Sequence, residues 1–130
     1  MPVENVNSYN LLKKSLDASA LRSKVISNNL VNINTKGYKR RYVTFEDSLK
    51  NAEDDIIMKK TSQKHMDIGQ VWGSMEVKKD TKTSMRQDGN NVDIDSEIVN
   101  QSANTLMYDA LTVELNNRIL MRRSVIKGGR

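Results

Sequence analysis

Catalysis and metal binding need nucleophiles, bases and ligands at workable spacings, and this chain offers few of them. Its only histidine is His65, and it has no cysteine. A single imidazole with no second histidine or thiolate to share a ligand makes a poor metal site or proton shuttle, so His65 reads as a surface or packing residue. Asp54 and Asp55, and Asp93 and Asp95, are carboxylate pairs. Nothing in the sequence supplies them with a matching base, nucleophile or pocket, and turn or helix-capping roles account for them. The six glycines are dispersed and form neither a dinucleotide fingerprint nor a phosphate loop. No catalytic residue, cofactor, metal site or small-molecule substrate is expected.

The polar residues that do recur at close spacing are asparagines. Asn28, Asn29 and Asn32 precede Thr35, Gly37 and Tyr38; Asn90 and Asn91 precede Val92. Amides four residues apart share a helix face, where each can donate and accept hydrogen bonds. Gly37 can take the left-handed conformation by which a chain leaves a helix, and Tyr38 can then fold an amphipathic ring back on the helix end. This chemistry shapes backbones.

Two long helical patterns hold these residues. Over residues 9–33, Tyr9, Leu12, Leu16, Ser19, Ser23, Ile26, Leu30 and Ile33 alternate three and four apart, which is heptad spacing. The two serines allow close backbone approach, and Ser8 is a plausible N-cap. The second pattern covers residues 95–127, with Asp93 or Asp95 as cap and Glu97 placed to favour the positive end of the helix dipole. One seam on it is Val99, Ala103, Leu106, Ala110, Val113 and Leu120, interrupted by Asn117; a neighbouring one is Tyr108, Leu111, Leu115, Ile119 and Ile126. Arg122, Arg123 and Lys127 suit its negative end, and Gly128 and Gly129 stop it. Two helices of this size cannot bury both seams against each other alone.

Between them the sequence has no sustained period. Residues 71–77 make the best short strand, and Gly69, Gly73 and the segment 88–91 mark turns. The expected fold is therefore mainly α: long N- and C-terminal helices packed as a coiled-coil-like pair, with an irregular or short-stranded middle. The boundaries are 1–41 for the first helix and its Asn/Gly-Tyr turn, 42–91 for the middle and 92–130 for the second helix. Residues 1–41 and 92–130 would form one helical domain.

Composition agrees with a thin core. With 130 residues there is room for one domain, yet only 37% are hydrophobic and 5% aromatic. That leaves little apolar surface to offset the entropy of ordering the chain, unless other subunits complete the core. The net charge of +5 invites a nucleic-acid reading. The basic residues are spread along the chain with acids interleaved, which is the pattern of a solvated surface, so no nucleic-acid partner is expected. No apolar run reaches the roughly 20 residues of a membrane span. The N-terminus carries neither a basic nor an apolar leader region, so no cleaved signal peptide is expected.

The segment Ser27-Asn28-Asn29-Leu30-Val31-Asn32-Ile33-Asn34-Thr35-Lys36-Gly37-Tyr38-Lys39 resembles the N-terminal motif of flagellar rod and hook proteins, A-N-N-[LI]-A-N-x-x-T-P-G-Y-K. Asn28, Asn29, Leu30, Asn32, Thr35, Gly37, Tyr38 and Lys39 match it. Ser27 and Val31 stand in place of alanines, and Lys36 in place of the usual proline. The segment Asp88-Gly89-Asn90-Asn91-Val92-Asp93-Ile94-Asp95-Ser96-Glu97 resembles the opening of the C-terminal helix in the proximal-rod branch of the flagellar basal body rod family. Thr61 and His65 are similar to a Thr-x-x-x-His element of that branch.

The resemblance implies a structural, non-enzymatic subunit of the proximal rod. It implies export without a cleaved signal through the flagellar type III apparatus, and assembly outside the inner membrane. The implied partners are other rod proteins, the rod–MS-ring adaptor FliE and the MS ring, in a homo- and hetero-oligomeric rod. Leu12, Leu16, Ile26, Leu30, Leu106, Leu111 and Leu115 are the candidate packing residues, and their spacing serves an intramolecular core and a subunit contact equally. Asn28, Asn29, Asn32, Thr35, Gly37, Tyr38, Asn90, Asn91 and Val92 are the candidate motif residues. A helical adaptor or filament subunit outside the flagellum is the rival reading, and a small basic nucleic-acid-binding protein a weaker one.

Overall fold

The computed structural model describes residues 3–46, 75–81 and 87–128. Helix α1 runs from Val3 to Val31, strand β1 from Arg41 to Thr44, strand β2 from Glu76 to Lys79 and helix α2 from Ile94 to Ile126. At 1.5 Å per residue the helices are about 44 and 50 Å long. The fold is mainly helical, as the two periodic segments require.

The ends of the helices test the capping chemistry. Helix α1 begins at Val3, so Ser8 is not its N-cap but lies inside it. It stops at Val31, which leaves Ile33 beyond the helix in a turn. Helix α2 is capped by Asp93, whose carboxylate accepts from the Asp95 amide at 3.2 Å. At its other end Lys127 closes the helix and Gly128 takes φ +72°.

The two helices pack antiparallel. Tyr9 lies under the Arg122 guanidinium, 5.3 Å from ring centroid to Cζ. Farther along, Ser19 meets Asn104 and Asn29 meets Glu97. Strands β1 and β2 pair antiparallel, with Arg41 opposite Lys79 and Val43 opposite Val77. The Arg-Tyr-Val-Thr run of β1 has the aromatic and β-branched content of a strand. Of the expected strand over 71–77, Glu76 and Val77 lie in β2, which continues to Lys79; residues 71–74 lie outside the described residues. So do Gly69, Gly73, Thr61 and His65.

Ala18, Val25 and Ile26 of α1, Val43 and Phe45 of and after β1, and Val92 before α2 are the buried apolar residues among those described. Ser19, Asn29, Asn90, Asn91, Glu97 and Asn104 are buried with them. Among the described residues the largest fully buried side chains are all polar: Glu97, Asn29, Asn90 and Ser19. Each must find hydrogen-bond partners inside the protein, so this core is specified by its polar contacts as much as by its packing.

Candidate functional site, an asparagine junction between the helices

The two asparagine-bearing segments, about sixty residues apart in sequence, form one junction. A helix leaves its last carbonyls without intrahelical partners. Past the end of α1 the chain turns, and Asn90 takes up carbonyls there: its Nδ2 lies 3.1 Å from the Asn32 carbonyl, 2.9 Å from that of Ile33 and 3.1 Å from that of Thr35. Its Oδ1 accepts from the Val92 amide at 2.8 Å, and its own amide donates to Asp88 Oδ1 at 3.0 Å. Asn90 thus ties down the turn that follows α1 and shapes the chain that leads into α2. The Gly37 amide donates to the Asp88 carbonyl at 3.0 Å. Gly37 and Gly89 both have positive φ, +71° and +80°, and a Cβ on Gly89 would sit 3.8 Å from the Gly37 Cα. There is space for a side chain at this crossing; it is the backbone conformation that calls for glycine.

Asn29 uses its full hydrogen-bonding capacity. Nδ2 donates to the Arg41 carbonyl at 2.7 Å and to Glu97 Oε2 at 3.0 Å. Oδ1 accepts from the Arg41 amide at 3.0 Å and from the Tyr38 hydroxyl at 3.3 Å. Two donors and two acceptor sites are all an amide side chain has, and only an amide meets this set. Asn29 therefore ties α1 to β1, to the turn and to α2 at one point. Asn91 extends the network: its Oδ1 accepts from the Arg40 amide at 2.7 Å, and its Nδ2 donates to the Asp80 carbonyl at 3.1 Å. Asn32 and Thr35 act locally, with Asn32 Nδ2 donating to the Asn28 carbonyl and the Thr35 hydroxyl to Asn32 Oδ1. Asn28 is exposed and lends that carbonyl.

Glu97 was expected to act through the helix dipole. It is fully buried, and its carboxylate is an anchor of the junction: Arg40 Nε lies 2.5 Å from Oε1 while Asn29 holds Oε2. Arg40 reaches in from the turn with its side chain 30% exposed. Charge-assisted bonds of this kind are short and strong, and a lone carboxylate here would be costly.

Two polar contacts continue the seam along the helices. The Ser19 hydroxyl donates to Asn104 Oδ1 at 3.0 Å while Asn104 Nδ2 donates to the Ser19 carbonyl at 3.0 Å. Gln101 Nε2 donates to the Ser23 hydroxyl at 3.1 Å, but the buried Gln101 Oε1 has no partner. The face of α2 turned to α1 thus begins with Glu97, Gln101 and Asn104. Sequence reasoning missed these three as contacts because it followed apolar residues. The signal was present in Ser19 and Ser23, whose hydroxyls inside a packed seam demand polar residues opposite.

The packing candidates divide. Ile26 is buried, and Leu12, Leu16, Leu30, Leu111 and Leu115 are half-buried. Leu106 is 71% exposed, with Val99, Val113 and Leu120 exposed beside it. The two apolar seams of α2 are not one wide face. Glu97, Gln101, Asn104, Leu111, Leu115 and Arg118 line the inner side. The Val99–Leu120 seam, offset by two residues or about 200°, points away from α1.

Beside the junction, Arg22 of α1 clamps Glu46 through bonds of 2.7 and 2.9 Å. Partial burial pushes the Glu46 carboxyl up, but the Arg22 hydrogen bonds and charge, with backbone amides at Phe45 and Glu46, outweigh it and hold it below its ordinary value. Among the described residues no group of three His, Cys, Asp or Glu could hold a metal, and no helix is long and apolar enough to cross a membrane.

This junction is built from the residues that carry the rod-protein motifs, and comparison with known proteins agrees. The profile of the family described as "Flagella basal body rod protein" matches residues 15–39, within α1 and its exit turn. The chain is 31% identical to "Flagellar basal body rod protein FlgB" of Bacillus subtilis, over 92% of both chains. It is 35% identical to the protein of that name from Borreliella burgdorferi, over 81% of this chain and 84% of that one. It is 27% identical to that from Buchnera aphidicola (subsp. Acyrthosiphon pisum), over 92% and 94%. A likeness that runs through both helices and the turns joining them to the strands settles the kinship: the chain belongs to the FlgB family of flagellar basal body rod proteins.

Proposed function

We propose that this protein is a structural subunit of the proximal rod, polymerising through its terminal helices to link the MS ring to the distal rod and hook. The observation that carries the reading is the division of α2 into an inner face spent on α1 and an outer aliphatic seam left exposed in the single chain. Monomeric proteins rarely leave a long contiguous apolar stripe to water, and such a stripe is the usual mark of an association surface. The asparagine junction holds α1 and α2 in one rigid antiparallel arrangement, so that the outer seam is presented the same way in every copy. Torque would be carried by the sum of many such interhelical contacts.

On this reading the neighbours are other rod proteins and the adaptor FliE at the MS ring. Delivery is through the flagellar type III export apparatus, without a cleaved signal. The role is mechanical and calls for no catalysis or cofactor.

Deleting the gene and imaging the basal bodies left in the envelope tests the assignment. MS rings that carry neither rod nor hook, in non-motile cells, are the expected result. Complete rods and hooks in the deletion strain would overturn it.

A further inference from the structure

We draw no further inference here: the strongest candidate, the exposed aliphatic patch that Val99, Leu106, Val113 and Leu120 form along the outer side of α2, carries nothing beyond the proposed function, because nothing in the structure shows what covers it.

Discussion

At the scale of single residues, the junction depends on side chains whose chemistry has no substitute. Asn29 gives two hydrogen bonds and accepts two. Asn29→Asp would keep the shape, remove both donors and set a second carboxylate against buried Glu97. A loss of about 3 kcal/mol is expected, read as a lower urea midpoint with an unchanged slope. A loss within experimental error would mean that the Asn29 contacts are not made in solution. Glu46 gives a gentler prediction with a defined sign. Its folded value is depressed, so the stability it contributes is present above its ordinary value near 4.5 and disappears as pH falls through the lower folded value. Because its side chain is half exposed, that contribution is at most about 1 kcal/mol, and Glu46→Gln should flatten the acid limb of a stability–pH curve by no more than this. A steeper acid limb in the variant would contradict the assignment. The asparagines themselves were visible in the sequence as a cluster of backbone-shaping amides. That Asn90 would hold the turn after the other helix was not visible, because a contact made across about sixty residues leaves no local pattern.

At the scale of elements, the helix termini and the inner seam separate. Asn90 binds three carbonyls in the turn after α1, and Asn90→Ala should release them at a cost of about 2 kcal/mol. Amide exchange should then speed up over residues 28–38 more than over the middle of α2; uniform acceleration along the chain would argue against a local anchor. In the seam, Asn104 is satisfied on both sides while Gln101 leaves Oε1 unpartnered. Gln101→Leu should therefore cost clearly less than Asn104→Leu, by about 1 kcal/mol in thermal or urea unfolding, and equal costs would contradict the contacts described. Both helices were legible from their heptad spacing, and the end of α2 at Gly128 from its glycine. The start of α1 at Val3 was not, because Ser8 offered a cap signal that the helix runs through. Nor was the inner face of α2, because Glu97, Gln101 and Asn104 are polar and periodicity arguments count apolar residues. Strand β1 at Arg41–Thr44 was hidden by the turn motif just before it; of its partner, Glu76 and Val77 fell within the strand expected over 71–77, and Lys78 and Lys79 beyond it.

At the scale of the whole molecule, a small apolar core, a polar junction and an exposed aliphatic seam form a division of labour. On the proposed function, the junction gives each subunit one shape and the seam is kept for association. Family membership was legible in the two asparagine motifs; which side of α2 faces outward was not, since heptad spacing alone serves either side. The account's central claim is that the outer seam serves assembly without serving the fold. Replacing Leu106 and Val113 together with aspartate, and examining both the purified protein and the basal bodies of cells that carry it, tests this most directly. The account predicts helical content and a urea midpoint within about 1 kcal/mol of the parent, as for surface substitutions, together with MS rings that bear no rod. Rods that assemble normally on the doubly substituted subunit, or a substituted chain that fails to fold, would contradict it.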